Sequence, residues 1–241
     1  MRFTDILEGK IEDLKIVVHC DAGSIKTIDK SKSQIGIIGM VQSVDSVEIH
    51  PRVTFRNPDI KSARKPVRNF PFIKATPIFW TSGKSERVAE SSFAAELQAV
   101  YTAFDAGTVL RQLYSELLYG QPRGSVKVEI RNDQLSVINS LNGITAMPSD
   151  RKLSGTMCSL REMIERKEIS DVKHVPGEFN MADALTKCSN CNHLFRLTQY
   201  NRCAVRTAVE IKEKFPKRAP GKKYLFLQDM RKRKLKEEHK C

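Results

Sequence analysis

The chain contains 241 residues, of which 40% are hydrophobic and 29% charged, and its formal net charge is +13. This length is sufficient for one sizeable core with appendages, and no apolar run approaches the roughly 18 residues of a membrane-spanning helix. The N-terminus lacks the apolar segment of a secretory signal, and the six cysteines do not have the spacing of a disulfide framework. These features predict an intracellular protein, cytoplasmic or nuclear, that does not bind membranes.

The first third of the chain predicts three strands and one irregular segment. Residues 1–13 are interpreted as a leader, and residues 15–20 are a β-branched apolar run that is typical of a buried strand. A second strand is predicted at residues 34–44 and a third at residues 77–81, both as antiparallel neighbours of the first. The segment at about residues 45–75 has no clear period and many basic side chains, so we interpret it as a long insertion.

From residue 90 onward, helices and strands alternate. The apolar side chains of residues 90–118 recur at helical spacing and predict one long amphipathic helix. The elements predicted after it are a strand at 125–131, a short helix from Leu135, a helix at 149–167, a strand at 171–175 and a helix from Asn180. Three antiparallel strands followed by strand–helix alternation predict an α/β fold with one mixed sheet and helices packed on it.

Four acids fall at strand ends or on helices within this order of elements. Asp21 follows the first strand, Asp133 follows the fourth, and Asp183 lies in the first turn of the last helix. Glu96 lies at the edge of the apolar stripe of the long helix, where a carboxylate is costly unless a cation or a metal lies nearby. Each acid alone has an ordinary explanation, as a turn residue, a helix cap, a dipole partner or an interfacial side chain.

Taken together, the four acids are better explained by metal binding. Magnesium requires oxygen ligands and is usually held by one or two carboxylates together with water and substrate phosphates. Two such ions about 3.5–4 Å apart can activate a water molecule and stabilise the leaving oxygen of a phosphodiester. The sequence therefore predicts a hydrolytic site for two Mg²⁺ ions, with Mn²⁺ as an alternative.

The stretches that surround these acids carry recognisable motifs. They are HCDAGS at 19–24, FWTSGKSERVAESSFAAELQAV at 79–100, VEIRNDQLSVI at 128–138, and LREMIERKEI with VKHVPGEFNMADALTK at 160–187. Over roughly residues 14–190 the chain resembles the ribonuclease H domain of copia-type retrotransposon polyproteins. The second stretch is similar to the family's Trp-Ser-Ser-Lys, Ser-Ser and Ala-Glu pattern, the third to its Asp-Asn motif, and the closing Ala-Asp-Ala-Leu-Thr-Lys block is the most specific match.

The resemblance implies a ribonuclease H-like fold, with a five-stranded mixed sheet, flanking helices and a long insertion between strands 2 and 3. It implies endonucleolytic hydrolysis of the RNA strand of RNA–DNA hybrids by two Mg²⁺ ions. The ligands it implies are Asp21, which would contact both ions, with Glu96, Asp133 and Asp183. The implied partner is a reverse transcriptase domain in the parent polyprotein. The chain departs from the family in its longer insertion and in having Arg151-Lys152 and Cys158 where copia-type members often carry histidines.

Two other functions stay open on the sequence. One is a catalytically inert module that keeps the fold and binds nucleic acid, although such a module need not retain all four acids. The other is an integrase- or resolvase-like nuclease that cuts DNA, against which the Ala-Asp-Ala-Leu-Thr-Lys block argues. A zinc site is disfavoured because its candidate ligands are irregularly spaced at Cys188, Cys191, His193 and Cys203.

The excess positive charge lies in a basic extension, which we assign to residues 191–241 after a domain at residues 14–190. Residues 188–241 contain 15 Lys and Arg against 5 Asp and Glu, whereas residues 1–187 contain 26 against 23. Such a segment favours a polyanionic partner, most simply nucleic acid, and a solvated tail is the alternative. The predicted nucleic-acid contacts are Lys217, Arg218, Lys222, Lys223, Arg231, Lys232, Arg233 and Lys234.

Overall fold

The computed structural model describes residues 14–23, 32–48, 72–120, 126–187, 194, 197–199 and 201–204. In chain order the described elements are β1 (Leu14–Gly23), β2 (Gln34–Glu48), β3 (Phe72–Lys84), α1 (Ser92–Tyr119), β4 (Lys127–Asn132), α2 (Leu135–Leu141), α3 (Arg151–Glu165), β5 (Asp171–His174), a 3-10 helix (Gly177–Phe179), α4 (Asp183–Thr186) and β6 (Arg202–Ala204). The strands form one sheet in the order β5-β4-β1-β2-β3-β6. No helix among the described residues is both long and apolar enough to cross a membrane.

The directions of the strands make the sheet mixed. β1 pairs antiparallel with β2, and β2 pairs antiparallel with β3. On its other side β1 pairs in parallel with β4, and β4 pairs in parallel with β5, each after a helical crossover. The predicted mixed α/β sheet and its five strands are confirmed, except that the third strand pairs with β2 and not with β1. Because β1, β4 and β5 are parallel, their carboxyl ends meet at one edge of the sheet.

The long helix α1 covers one face of this sheet. Ser91 caps its start by accepting a hydrogen bond from the Ala94 N–H at 3.1 Å, and Gly120 ends it in the left-handed conformation at φ 64°. The core between helix and sheet includes Ile16, Val18, Leu97, Val100, Phe104, Val128 and Ile130. The first part of the apolar stripe that predicted the helix, as far as Leu110, is therefore the surface that α1 buries, whereas Leu113 and Leu117 further along the stripe are exposed.

The opposite face of the sheet carries a second, smaller core. Its buried members are Val17, Ile38, Met40, Ala75, Met181, Ala182, Leu197 and Cys203. The apolar strand β1 thus contributes alternate side chains to two cores, as expected of a strand covered on both faces. Cys203, one of the candidate zinc ligands, is part of this core and only 1% exposed; Cys188, Cys191 and His193 lie outside the described residues.

Glu129 of β4 is buried next to this second core and is paired with three cations. Its carboxylate accepts hydrogen bonds from Lys15 Nζ at 3.0 Å, Arg131 Nε at 2.6 Å and Lys173 Nζ at 2.9 Å. Burial by itself raises the pKa of Glu129, but the charges of Arg131, Lys15 and Lys173 outweigh it and lower the pKa to about 2. This cluster connects β1, β4 and β5 through charge as well as through the backbone ladder.

The structure corrects two boundaries of the sequence prediction. β2 runs to Glu48 and β3 begins at Phe72, so both ends of the predicted insertion at 45–75 are strand, and residues 49–71 lie outside the described residues. β6 pairs with β3 beyond residue 190, where the sequence predicts the end of the domain. A strand of three residues is too short to give a periodic pattern, which is why the sequence places it in the extension.

Gly36 of β2 provides a test of how closely α4 packs on the sheet. A Cβ atom at Gly36 would lie 2.8 Å from the backbone oxygen of Ala182 and 2.8 Å from Leu185 Cβ. Because backbone atoms cannot move aside cheaply, we expect Gly36→Ala to lower the free energy of unfolding by about 1–3 kcal/mol. Chemical denaturation of the purified variant measures this change.

Gly155→Ala is the matched control for this substitution. Nothing lies within 4 Å of a Cβ atom placed at Gly155, which is exposed on α3. Alanine should therefore raise the free energy of unfolding by about 0.5–1 kcal/mol through its higher helix propensity. Equal effects of the two substitutions would contradict the close packing of α4.

Candidate metal centre

Three of the four predicted acids lie together at the carboxyl edge of the sheet. Asp21 is near the end of β1, and Asp133 directly follows β4, the parallel neighbour of β1. Asp183 is the first residue of α4. One carboxylate oxygen from each of these three acids lies within 4.8 Å of the others. Residues far apart in the sequence thus meet because two parallel strands end side by side and α4 packs against β1 and β2.

Two glycines allow α4 to bring Asp183 to this edge. A Cβ atom at Gly23 would lie 2.9 Å from both the Cβ and the backbone oxygen of Thr186, and Gly36 faces Ala182 and Leu185 just as closely. The backbone of α4 therefore occupies the space that a side chain at either glycine position would need. Asn180, fully buried before α4, donates a hydrogen bond to the Cys20 carbonyl at 2.9 Å and fixes the approach of the helix.

Glu96 lies beside this group and is not one of its three members. It is 8% exposed on α1, and its Oε2 accepts a hydrogen bond from Asn132 Nδ2 at 2.8 Å. Burial raises the pKa of Glu96 to about 7, and the negative charges of Asp21 and Asp133 act in the same direction. A positive charge nearby would therefore stabilise the ionised form of Glu96.

Asn132 was not singled out by the sequence, although it directly precedes Asp133 in a quoted motif. It is fully buried at the end of β4. Besides Glu96, its amide donates to the Cys20 carbonyl at 3.2 Å, and its Oδ1 accepts the Gln134 N–H at 2.9 Å. Asn132 therefore holds the end of β1, the end of β4 and Glu96 in one hydrogen-bond network.

Two further contacts fix the aspartates. The Thr186 hydroxyl donates a hydrogen bond to Asp21 Oδ2. The His174 Nε2 atom lies 2.9 Å from the Asp133 backbone oxygen, so β5 supports the turn that carries this acid. Neither residue stood out in the sequence, because each acts only through a contact with a distant strand.

The electrostatics of the group favour a hard cation. Burial raises the pKa of Asp21, and the hydrogen bond from Thr186 and the charge of Lys187 only partly oppose it. Burial also raises the pKa of Asp133, with Asp21 adding to the effect. Oxygen-only donors, partly desolvated and mutually repelling, fit Mg²⁺ or Mn²⁺ and do not suit a soft metal. The predicted ligands at this edge thus have the chemistry that a divalent cation requires.

The predicted nucleic-acid contacts in the basic extension lie outside the described residues. These are Lys217, Arg218, Lys222, Lys223, Arg231, Lys232, Arg233 and Lys234. Their assignment stays a prediction from charge alone.

Comparison with known proteins returned solved structures only. No protein-family model and no curated protein matches the chain. LC11-RNase H1, solved in complex with an RNA/DNA hybrid, is 15% identical, with 71% of this chain and 93% of that chain covered and a TM-score of 0.42. RNase H1 from the archaeon Halobacterium salinarum is 17% identical, with 71% and 93% covered and a TM-score of 0.43.

A third solved structure is the N-terminal ribonuclease H domain of a Mycobacterium tuberculosis protein, at 16% identity and a TM-score of 0.42, covering 72% of this chain and 91% of that chain. The strands of the chain lie in the order β5-β4-β1-β2-β3 with β2 running against the other four, which is a five-stranded mixed sheet flanked by helices, as the resemblance implies. The predicted fold class is confirmed, and β6 is an addition to it.

The raised pKa of Glu96 predicts a pH dependence of stability in the metal-free protein. Its pKa is about 7 in the folded chain against an ordinary value of 4.5, so the folded state binds this proton more tightly than the unfolded state. The resulting stabilisation is complete below pH 4.5 and is lost as the pH rises through 7. We expect this loss to reach about 2–3 kcal/mol and to be absent in Glu96→Gln.

Urea denaturation of both proteins in the presence of a chelator, from acidic to neutral pH, measures the effect. Subtracting the Glu96→Gln curve isolates Glu96 from the other acids, because they titrate in both proteins. A difference that stays constant over this range would show that Glu96 is not held in a desolvated position.

Proposed function

We propose that this chain hydrolyses the RNA strand of RNA–DNA hybrids. The observation that carries the proposal is the meeting of Asp21, Asp133 and Asp183, with Glu96 beside them, at the carboxyl edge of a ribonuclease H-like sheet. Divalent cations bound there would supply an activated water and stabilise the 3′ leaving oxygen of a phosphodiester. The four acids would hold the cations, as the sequence predicts.

The remaining residues of the site would keep the acids in a fixed arrangement. The Thr186 hydroxyl restrains one oxygen of Asp21 and leaves the other available as a ligand. The Asn132 amide restrains Glu96 in the same way. Such restraint limits the reorganisation needed when substrate and cations bind, which is a main source of catalytic power in preorganised sites. Choice of RNA over DNA would come from contacts to the 2′-hydroxyl.

We further propose that the chain derives from a copia-type retrotransposon polyprotein and acts beside its reverse transcriptase domain. The support for this context is the sequence of residues 79–100 and 160–187, which resembles that family. A hydrolase for the RNA strand of hybrids would be required there, because reverse transcription leaves the RNA template paired to the new DNA strand.

Substitution of Asp21 tests the proposed activity. We expect Asp21→Asn to reduce Mg²⁺-dependent cleavage of a labelled RNA–DNA hybrid by at least about a hundredfold, since it removes a charged ligand. Removing one negative charge from a crowded group relieves repulsion, so the stability of the metal-free protein should hold or rise. Duplex DNA and duplex RNA serve as substrate controls.

Asp105→Asn is the matched control, because Asp105 is an exposed acid of α1 outside the group. Cleavage by this variant should equal that of the wild type. Wild-type activity in Asp21→Asn would refute the site. Hybrid binding without cleavage by the unmodified chain would instead identify an inert binding module.

The basic extension is tested separately by removing residues 212–241, which contain 12 Lys and Arg against 4 Asp and Glu. Phosphate contacts release counterions, so the truncated chain should bind the hybrid more weakly and with a flatter dependence on salt. Cleavage at saturating hybrid should be largely retained, because the four acids all precede residue 187. Binding measured from low to moderate salt decides the point, and an unchanged salt slope would exclude contact between the extension and the substrate.

A further inference from the structure

The group of acids includes a positively charged side chain, that of Lys187. Lys187 directly follows α4, and its ammonium forms an ion pair with Asp183 and lies 4.0 Å from Asp21 Oδ2. Its backbone N–H donates to the Asp183 carbonyl at 3.0 Å, so the end of α4 fixes where its side chain starts. The positive charge of Lys187 also acts on Asp133. A single side chain therefore neutralises part of the charge of all three grouped acids.

The Lys187 side chain is held in place by its ion pairs and can also leave. It is 50% exposed, whereas the Asp21 side chain is 2% exposed. A lysine has a long flexible stem and a strongly hydrated head, so its ammonium can move into solvent when its ion pairs are lost. Asp21 and Asp183 cannot follow, because β1 is buried in the core and α4 is packed closely against Gly23 and Gly36.

We propose that Lys187 is a resident counter-ion that competes with divalent cations for Asp21 and Asp183. In the metal-free protein it reduces the repulsion among the acids. When a divalent cation binds, the ammonium must leave, because two positive charges within a few ångströms repel each other. Lys187 thereby raises the cation concentration at which the site fills. This inference rests on the proposed function, which identifies the ligand as a divalent cation. It adds a means by which filling of the same site is regulated.

The proposal predicts two effects of opposite sign for Lys187→Met. Without metal the variant should have a melting temperature lower by about 1–3 °C, because the acids lose their counter-ion. With metal it should bind Mg²⁺ about threefold to tenfold more tightly, because no ammonium has to be displaced. A purely structural role would lower the stability without improving the affinity.

Isothermal titration of chelator-treated full-length protein with MgCl₂, in the absence of any hybrid, measures the affinity. Thermal melts in chelator and in saturating MgCl₂ measure the stability. Lys187→Arg retains the charge and should behave as the wild type in both measurements. Lys127→Met removes an exposed lysine at the opposite end of β4 from Asp133 and should change neither.

Unchanged or weaker Mg²⁺ affinity in Lys187→Met would overturn the proposal. Circular dichroism and the thermal melt establish whether the variant is folded, and Lys187→Gln provides a second neutral side chain if methionine perturbs α4. Failure of the wild type to bind Mg²⁺ at all would instead count against the proposed function. The two failures are therefore distinguished within one set of titrations.

Discussion

The approach of α4 to two glycine-bearing strands is the contact on which the candidate centre depends. A helix of four residues has no stability of its own. It is held because its backbone lies against Gly23 and Gly36, where side chains would otherwise stand. The Ser82 hydroxyl adds a hydrogen bond to the Leu185 carbonyl at 2.5 Å. The glycines in β1 and β2 thus determine the position of Asp183.

Two buried glutamates, Glu129 on β4 and Glu96 on α1, are in opposite electrostatic states. Glu129 has three cationic partners and a pKa of about 2, whereas Glu96 has an amide partner, acidic neighbours and a pKa of about 7. The first arrangement is complete within the protein and joins three strands. The second has no ion pair among the residues that the structure describes, and deficits of this kind are typical of sites that receive a charged ligand. The contrast distinguishes the carboxylate on β4, which is neutralised within the protein, from the carboxylate on α1, which is a proposed metal ligand.

Much of the fold could be predicted because its signals are local. Apolar spacing predicted α1, and strict alternation predicted β4, each within two residues of the observed bounds. The acids could be named because each lies in a quoted motif, three of them at or near element ends and Glu96 within α1, and their binding of metal stays a prediction. Asn132 and Lys187 could not be singled out, because their roles come from contacts with Glu96 and Asp21, which the sequence does not reveal. β6 was missed for a similar reason, because a three-residue strand can be recognised only from its pairing with β3.

The placement of Asp21 on β1 and of Asp183 on α4 has a consequence for biosynthesis. Strand β1 is synthesised before the other described elements, yet its acid has no complete set of neighbours until α4 has been made and has docked on Gly36. Closing a loop of this length is slow relative to local helix formation, so the centre is among the last features to form. A nascent or prematurely terminated polypeptide that ends before α4 carries at most three of the four acids. Competence for the proposed chemistry therefore requires that translation has continued beyond α4.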